Sequence, residues 1–238
     1  MIDLFMDTLG ILVASAIGIG FIHTLIGVDH TLPFVVLGRA RGWSLAKTLR
    51  LTAVCGLGHV ASSVLLGSFG LGLGVALGRL KGVEEFRGNL AAWVLIVFGL
   101  VYAAWSMARK RRSQRDAHAH ETGVVHAHGR GMSVAHQHGS DVSGASLTAW
   151  SLFVVFVLGP CEPLIPLLMV PALDLGAMAA VPVTLAFAVT TIGTMMVVVA
   201  AAYYGLRMPA FRHLEAHAHT LAGLAIAFSG LLIQLLGI

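Results

Sequence analysis

An all-α, polytopic membrane protein of six transmembrane helices, arranged as two inverted three-helix repeats, is predicted from three observations. Apolar residues far outnumber charged ones, six apolar stretches have bilayer length, and a motif order recurs once along the chain. Of 238 residues 57% are hydrophobic and 11% charged, and the mean hydropathy of +0.87 leaves too little polar surface for a soluble domain. The 28 glycines are scattered without the period-2 alternation of a membrane barrel, so helix is the structure left to satisfy the backbone within lipid.

The apolar stretches run from Gly10 to Leu37, Leu51 to Leu77, Leu90 to Ala108, Leu147 to Leu173, Ala177 to Leu206 and Thr220 to Ile238. Each approaches or exceeds the roughly 20 residues needed to cross a bilayer core of about 30 Å. Residues 1–108 form the first repeat, 109–146 a polar connector and 147–238 the second repeat. The repeat is carried by Gly-Val-Asp-His-Thr-Leu (27–32) laid on Gly-Pro-Cys-Glu-Pro-Leu (159–164), and by 53–59 laid on 188–194. Three helices per copy is an odd number, so the second copy enters the membrane with opposite polarity.

The first span is overlong, roughly 42 Å at helical rise, and carries Gly27 and Pro33 around Asp29-His30. The fourth has Gly159, Pro160, Pro163 and Pro166 around Cys161-Glu162. Both read as broken helices whose unwound backbone lines a central site. Within the spans the ionisable residues are His23, Asp29, His30, Cys55, His59, Cys161 and Glu162; every other acid or base is assigned to a loop or a helix end. A mid-bilayer carboxylate costs roughly 2.5 to 3.5 kcal/mol on insertion scales, so Asp29 and Glu162 call for a compensating role. His23 and His30 are two turns apart and Cys55 and His59 one turn apart, so each pair shares a helix face. Imidazole, carboxylate and thiolate together suit borderline divalent ions such as nickel, cobalt or zinc rather than calcium or magnesium. The metal set predicted on this basis is His23, Asp29, His30 and His59, joined by Cys161 and Glu162.

The connector from Arg109 to Ser146 contains His118, His120, His126, His128, His136 and His138 in i, i+2 pairs, and His213, His217 and His219 precede the sixth span. The connector reads as a disordered cytoplasmic tract able to chelate divalent metals loosely. The formal net charge of +4 comes from basic residues beside the spans, so nucleic acid is excluded as a partner. Residues 1–10 lack the basic n-region of a signal peptide, and the two cysteines fall in spans rather than in a disulfide framework. Arg39, Arg41, Lys47, Arg50, Arg109, Lys110, Arg111, Arg112, Arg115, Arg130, Arg207 and Arg212 fall on one side, against Arg79, Lys81 and Arg87 on the other. The positive-inside rule places the larger group in the cytoplasm and both termini outside it, in the inner (plasma) membrane.

His-Thr-Leu-Ile-Gly-Val-Asp-His (23–30), Gly-Arg-Ala-Arg-Gly-Trp-Ser-Leu-Ala-Lys-Thr (38–48) and Cys-Gly-Leu-Gly-His-Val (55–60) together resemble the UreH-like, urease-accessory type membrane proteins grouped with nickel/cobalt permeases. The resemblance covers the first two spans well and the second half loosely. In those permeases four residues separate the first histidine from the Asp-His pair, whereas five lie between His23 and Asp29. It implies transport of nickel or cobalt by alternating access at a His/Asp midplane site, with the metal as substrate and no tightly bound cofactor. The partners it implies are the metal ion and the lipid bilayer, with a second copy of the chain and a cytoplasmic metallochaperone as further candidates.

Gly-Pro-Cys-Glu-Pro-Leu-Ile-Pro (159–166) is also similar to the Pro-Cys helix of the transmembrane electron carriers of cytochrome c biogenesis. Thiol-disulfide electron transfer through Cys55 and Cys161 is therefore an alternative, although Cys161 aligns with Asp29 and Cys55 with Thr190 rather than with each other. Export of a small, sulfite-type anion at broken-helix N-termini is a third reading, opposed by the lack of basic residues other than His within the spans. No phosphate-binding Gly-x-x-x-x-Gly-Lys-Ser/Thr loop occurs, and the chain reads as a transporter rather than an enzyme. A periplasmic reporter fused after Ile238 is expected to be active; activity of a cytoplasmic reporter there instead would mean a span count wrong by an odd number or a failed charge rule.

Overall fold

The computed structural model describes the backbone of residues 2–115, 117–119, 125–127, 142–205 and 217–236, with side chains over 5–111, 149–205 and 217–235. Regular structure among them is helical: α1 (Ile2–Ile26), α2 (Leu32–Ala40), α3 (Leu45–Gly72), α4 (Leu77–Arg115), α5 (Val142–Leu158), α6 (Leu164–Asp174), α7 (Ala177–Gly205) and α8 (Ala218–Leu236). The exception is a short antiparallel pair, Ala117–Ala119 with Val125–Ala127, which sets His118 opposite His126. The ends of the connector expected to be disordered, 109–115 and 142–146, are helical as parts of α4 and α5, while the rest of the His-rich tract, and His213, lie outside the described residues.

Among the described residues, five helices can cross a membrane by length and composition, over Phe5–Ile26, Leu45–Gly72, Leu77–Arg111, Ala177–Gly205 and Ala218–Leu235. The stretch expected as the fourth of six spans is divided between α5 and α6, of 17 and 11 residues, each short of a crossing by itself. The chain also breaks near Asp29, but later along the span than its apolar limits imply, because α1 already runs 25 residues before it ends. Large apolar side chains such as Met178 (81%) and Leu235 (72%) stand exposed, in keeping with lipid-facing surfaces of a multi-pass membrane protein.

Local chemistry accounts for the breaks. After Ile26 a single 3-10 turn, Val28–His30, closes with His30 N–H to Gly27 O at 3.1 Å and Thr31 N–H to Val28 O at 3.4 Å. Pro33 then sits in the first turn of α2, where its missing N–H costs no helical bond. In the second half Gly159, Pro160 and Pro163 fill the gap between α5 and α6. Pro163 occupies the N-cap of α6, and Leu164 N–H donates to Cys161 O at 2.9 Å. The turn out of α2 uses Gly42 at φ 61°, and Ser44 Oγ caps α3 by accepting from Lys47 N–H at 3.3 Å.

Packing pairs α1 with α7 and α5 with α3, while α3 also packs on α7 and α4 lies along α8. The α4–α8 contact is made by small residues: a Cβ on Gly223 would come 2.6 Å from both Ala103 N and Gly99 O, and one on Gly230 would come 2.6 Å from Ala92 O. Backbones that close are the membrane form of helix packing, where van der Waals contact replaces the hydrophobic drive. Two apolar clusters flank the centre. One joins Phe34, Leu37, Leu95, Leu152, Phe156 and Met195; the other joins Ala16, Val60, Leu164, Val183 and Phe187. Gly223→Val is expected to lower the thermal unfolding midpoint of the purified protein, with an overpacking cost of about 1–3 kcal/mol or more. Gly193→Val, at a position with nothing within 4 Å, should leave it near the wild-type value.

Candidate metal centre

The first break and α3 bring three imidazoles together. His23 lies on the last turn of α1, His30 ends the 3-10 turn, and His59 comes from mid-α3. Ring centroids are 4.7 Å apart for His23–His30 and 5.0 Å for His30–His59, both pairs edge-on. His30 and His59 are 3% and 2% exposed. Their Nε2 atoms, and that of His23, are buried without a hydrogen-bond partner. An unpaired polar atom in such a place normally costs about 1–3 kcal/mol, so three in one cavity need an explanation.

The other ring nitrogens of His59 and His30 are occupied. His59 Nδ1 lies 3.2 Å from the Phe156 carbonyl, which can only accept, so Nδ1 carries the proton and neutral His59 presents a bare Nε2. His30 Nδ1 lies 3.1 Å from Asp29 Oδ1, so Nδ1 again carries a proton, and the neutral ring presents Nε2 as a lone pair. Such outer partners fix the tautomer and orientation of metal-binding histidines.

These residues line a cavity of about 360 Å³ with Asp29, Phe156, Gly159, Pro160 and Glu162. Cys161 is fully buried at its edge. The donor atoms of His23, His59 and Cys161 all lie within 4.8 Å of one another. A tetrahedral site with bonds near 2.2 Å has an edge of about 3.6 Å, so contraction by about 1 Å would let one ion touch all three. Glu162 is exposed and stands at the mouth, where the cavity shares Gly88, Pro160, Glu162, Pro163 and Ile233 with a wider space of about 670 Å³ that also reaches Lys81, Glu84, Glu85 and Asn89. Of the sequence-predicted set, His23, Asp29, His30 and His59 thus face one cavity, Cys161 borders it and Glu162 guards its opening. Cys55 is elsewhere, in the cluster around Phe34 and Met195, and both cysteines are free thiols.

The sequence reading missed Glu84 and Arg87. Assigned to a loop, they lie inside α4, which begins at Leu77 rather than near Leu90. Glu84 is 0% exposed; its Oε1 accepts from Arg87 Nη1 at 2.6 Å and its Oε2 from Cys161 N–H at 3.1 Å. Arg87 Nη2 donates to Val157 O at 2.7 Å, Gly159 O at 3.3 Å and Ser62 Oγ at 2.8 Å. The assignment of Glu84 and Arg87 to a loop is corrected accordingly. Helical period was the available signal: Leu80, Glu84, Gly88, Ala91 and Leu95 are all buried at i, i+3/i+4 spacing on one face of α4.

Helices of membrane-spanning length and a His/Cys group with spacing suited to a metal ion are thus both present. Comparison of the chain with protein-family models, with curated proteins and with solved structures finds no match. Gly27 has φ −68°, which any residue can adopt, yet a Cβ there would collide with the His30 imidazole. Gly27→Ala is therefore expected to leave membrane expression intact while, if the cavity is a metal site, weakening its affinity for a divalent ion such as cobalt by about 10-fold or more, as displaced ligand support does elsewhere; calorimetric titration of the purified variant measures it.

Proposed function

We propose that this chain is a permease for a divalent transition-metal ion, nickel or cobalt first, working by alternating access at the His23, Asp29, His30 and His59 cavity with Cys161 at its edge. One observation carries the reading: three imidazoles with buried, unpartnered Nε2 atoms line a cavity that also holds a carboxylate. An ion that has shed its water would satisfy all of them at once, and its charge would offset the cost of keeping Asp29 ionised in a low-dielectric interior. The resemblance of residues 23–60 to nickel/cobalt permeases points the same way.

The inverted-repeat arrangement belongs to this reading and has its own support. Both halves break at aligned motifs, and packing of α1 on α7 is matched by packing of α5 on α3. A central cavity between two such halves is where an alternating-access carrier binds its cargo. The cytoplasmic His-rich tract would buffer or sense metal, since weak i, i+2 pairs outside the bilayer do not define a translocation site.

Accumulation of radioactive nickel or cobalt in cells separates the two roles. At matched membrane expression Asp29→Asn and His30→Ala are expected to abolish uptake. Deletion of 116–141 should shift apparent affinity or metal tolerance and leave translocation in place. A dead loop deletion beside an active Asp29→Asn protein would make the polar cluster structural and overturn the pathway.

A further inference from the structure

We propose that the buried Glu84–Arg87 pair is a positioning device that holds the Cys161 thiol in the coordination sphere of His23 and His59. The site then takes thiophilic divalent ions such as cobalt, nickel and zinc, and passes over magnesium and manganese. This rests on the permease reading and specifies its ligand set.

Cys161 lies between Leu158 and Leu164, where no continuous helical ladder fixes the chain. Its position is set from α4. Glu84 Oε2 takes the Cys161 N–H at 3.1 Å, while Arg87 grips Val157 O and Gly159 O on the preceding side of the turn. The pair therefore pins the end of α5 and the entry to α6 at once. Ser62, one turn beyond His59 in α3, is held by the same guanidinium at 2.8 Å, which ties the helix carrying His59 to the segment carrying Cys161. Gly88, one turn on from Glu84, lets α4 approach so closely that a Cβ there would come 2.7 Å from Pro160 Cγ.

Independent geometry shows what the clamp serves. The thiol sits within 4.8 Å of the His23 and His59 donor atoms, and Nε2 of His59, a residue 2% exposed, has no other partner. A thiolate beside two imidazoles is a soft donor set that discriminates by ligand type against ions preferring oxygen and water. Arg87 neutralises Glu84, so a metal-bound thiolate there would not face an uncompensated carboxylate.

The test uses the purified full chain and cobalt(II) alone. Wild-type protein is expected to show a sulfur-to-cobalt charge-transfer band in the near ultraviolet, and with zinc an X-ray absorption shell of one sulfur at about 2.3 Å. Cys161→Ser should lose both. The double variant Glu84→Leu/Arg87→Met removes the pair without stranding a charge. It should still bind cobalt through the imidazoles, about 10- to 100-fold more weakly, with the sulfur band lost. Glu84→Gln, which keeps an oxygen for the Cys161 N–H, should retain the band. Glu84→Met, which removes the Cys161 N–H acceptor together with the counter-ion of Arg87 and leaves Arg87 its carbonyls, should lose it, and gives a second comparison if the double variant does not fold. A band of full intensity in the double variant or in Glu84→Met overturns the positioning role. Cobalt binding by the wild type without a sulfur band overturns the ligand, and no cobalt binding at all overturns the permease reading with it.

Discussion

Opening a helix inside an apolar bundle exposes backbone groups that lipid and packed side chains cannot satisfy, and the structure around the cavity follows from how those groups are paired. The two breaks solve the problem differently. The first closes on itself through the 3-10 turn, with Gly27 and Val28 carbonyls accepting from His30 and Thr31. The second holds Pro160 and Pro163, which have no N–H, and depends on Glu84 and Arg87 from another helix. A buried ion pair contributes little net stability against a hydrophobic replacement, while removal of one partner alone costs about 3–5 kcal/mol. Its value here is geometric: Nη1 serves Glu84, while the two N–H groups of Nη2 are shared among Ser62 of α3, Val157 at the end of α5 and Gly159 in the turn.

That pairing leaves the cavity with a particular electronic character. The Phe156 carbonyl and the Asp29 carboxylate each hold one ring nitrogen of a histidine, and the opposite nitrogen of each ring is buried without a protein partner. On the permease reading, a cation completes such a surface. Anion binding would instead call for donors aimed into the cavity, yet the guanidinium of Arg87 is committed to carbonyls and to Glu84. The thiol-exchange alternative needs two sulfurs able to meet, and Cys55 and Cys161 are packed in different clusters.

Much of this was legible in the sequence because the signals were local. Asp29-His30 between Gly27 and Pro33 announced a polar break, and Gly159 to Pro166 announced a second, since proline and glycine act on their own backbone. Helix content followed from apolar length. What hydropathy left unread is that α5 and α6 are each too short to cross by themselves, because it averages over the gap of five residues that a proline-rich turn fills. Glu84 and Arg87 were hidden for a related reason. A window centred on Leu90 to Ala108 treats charged residues before it as loop, although helix does not end where hydrophobicity does. Only the face periodicity through Leu80, Glu84 and Gly88 distinguishes a buried carboxylate from a solvated one, and the carboxylate's partners are 77 residues away at Cys161 and only three away at Arg87.

On the permease reading, the unequal origins of the donors bear on release. His23, Asp29 and His30 belong to the first break, Cys161 to the second and His59 to α3, so no rigid helix carries the whole set. Cargo must be bound firmly enough to lose water and loosely enough to leave, and donor separations reaching 4.8 Å describe a site that closes only when its elements approach. Because α3 is tied through Ser62 and Arg87 to the second break, a relative shift of about 1 Å would part His59 and Cys161 together from the Asp29–His30 group. The ion would then keep either the imidazole–thiolate donors or the imidazole–carboxylate donors and recover water in the vacated positions. Glu162 at the shared mouth of the two spaces stands where that rehydrating ion would first meet a solvated carboxylate.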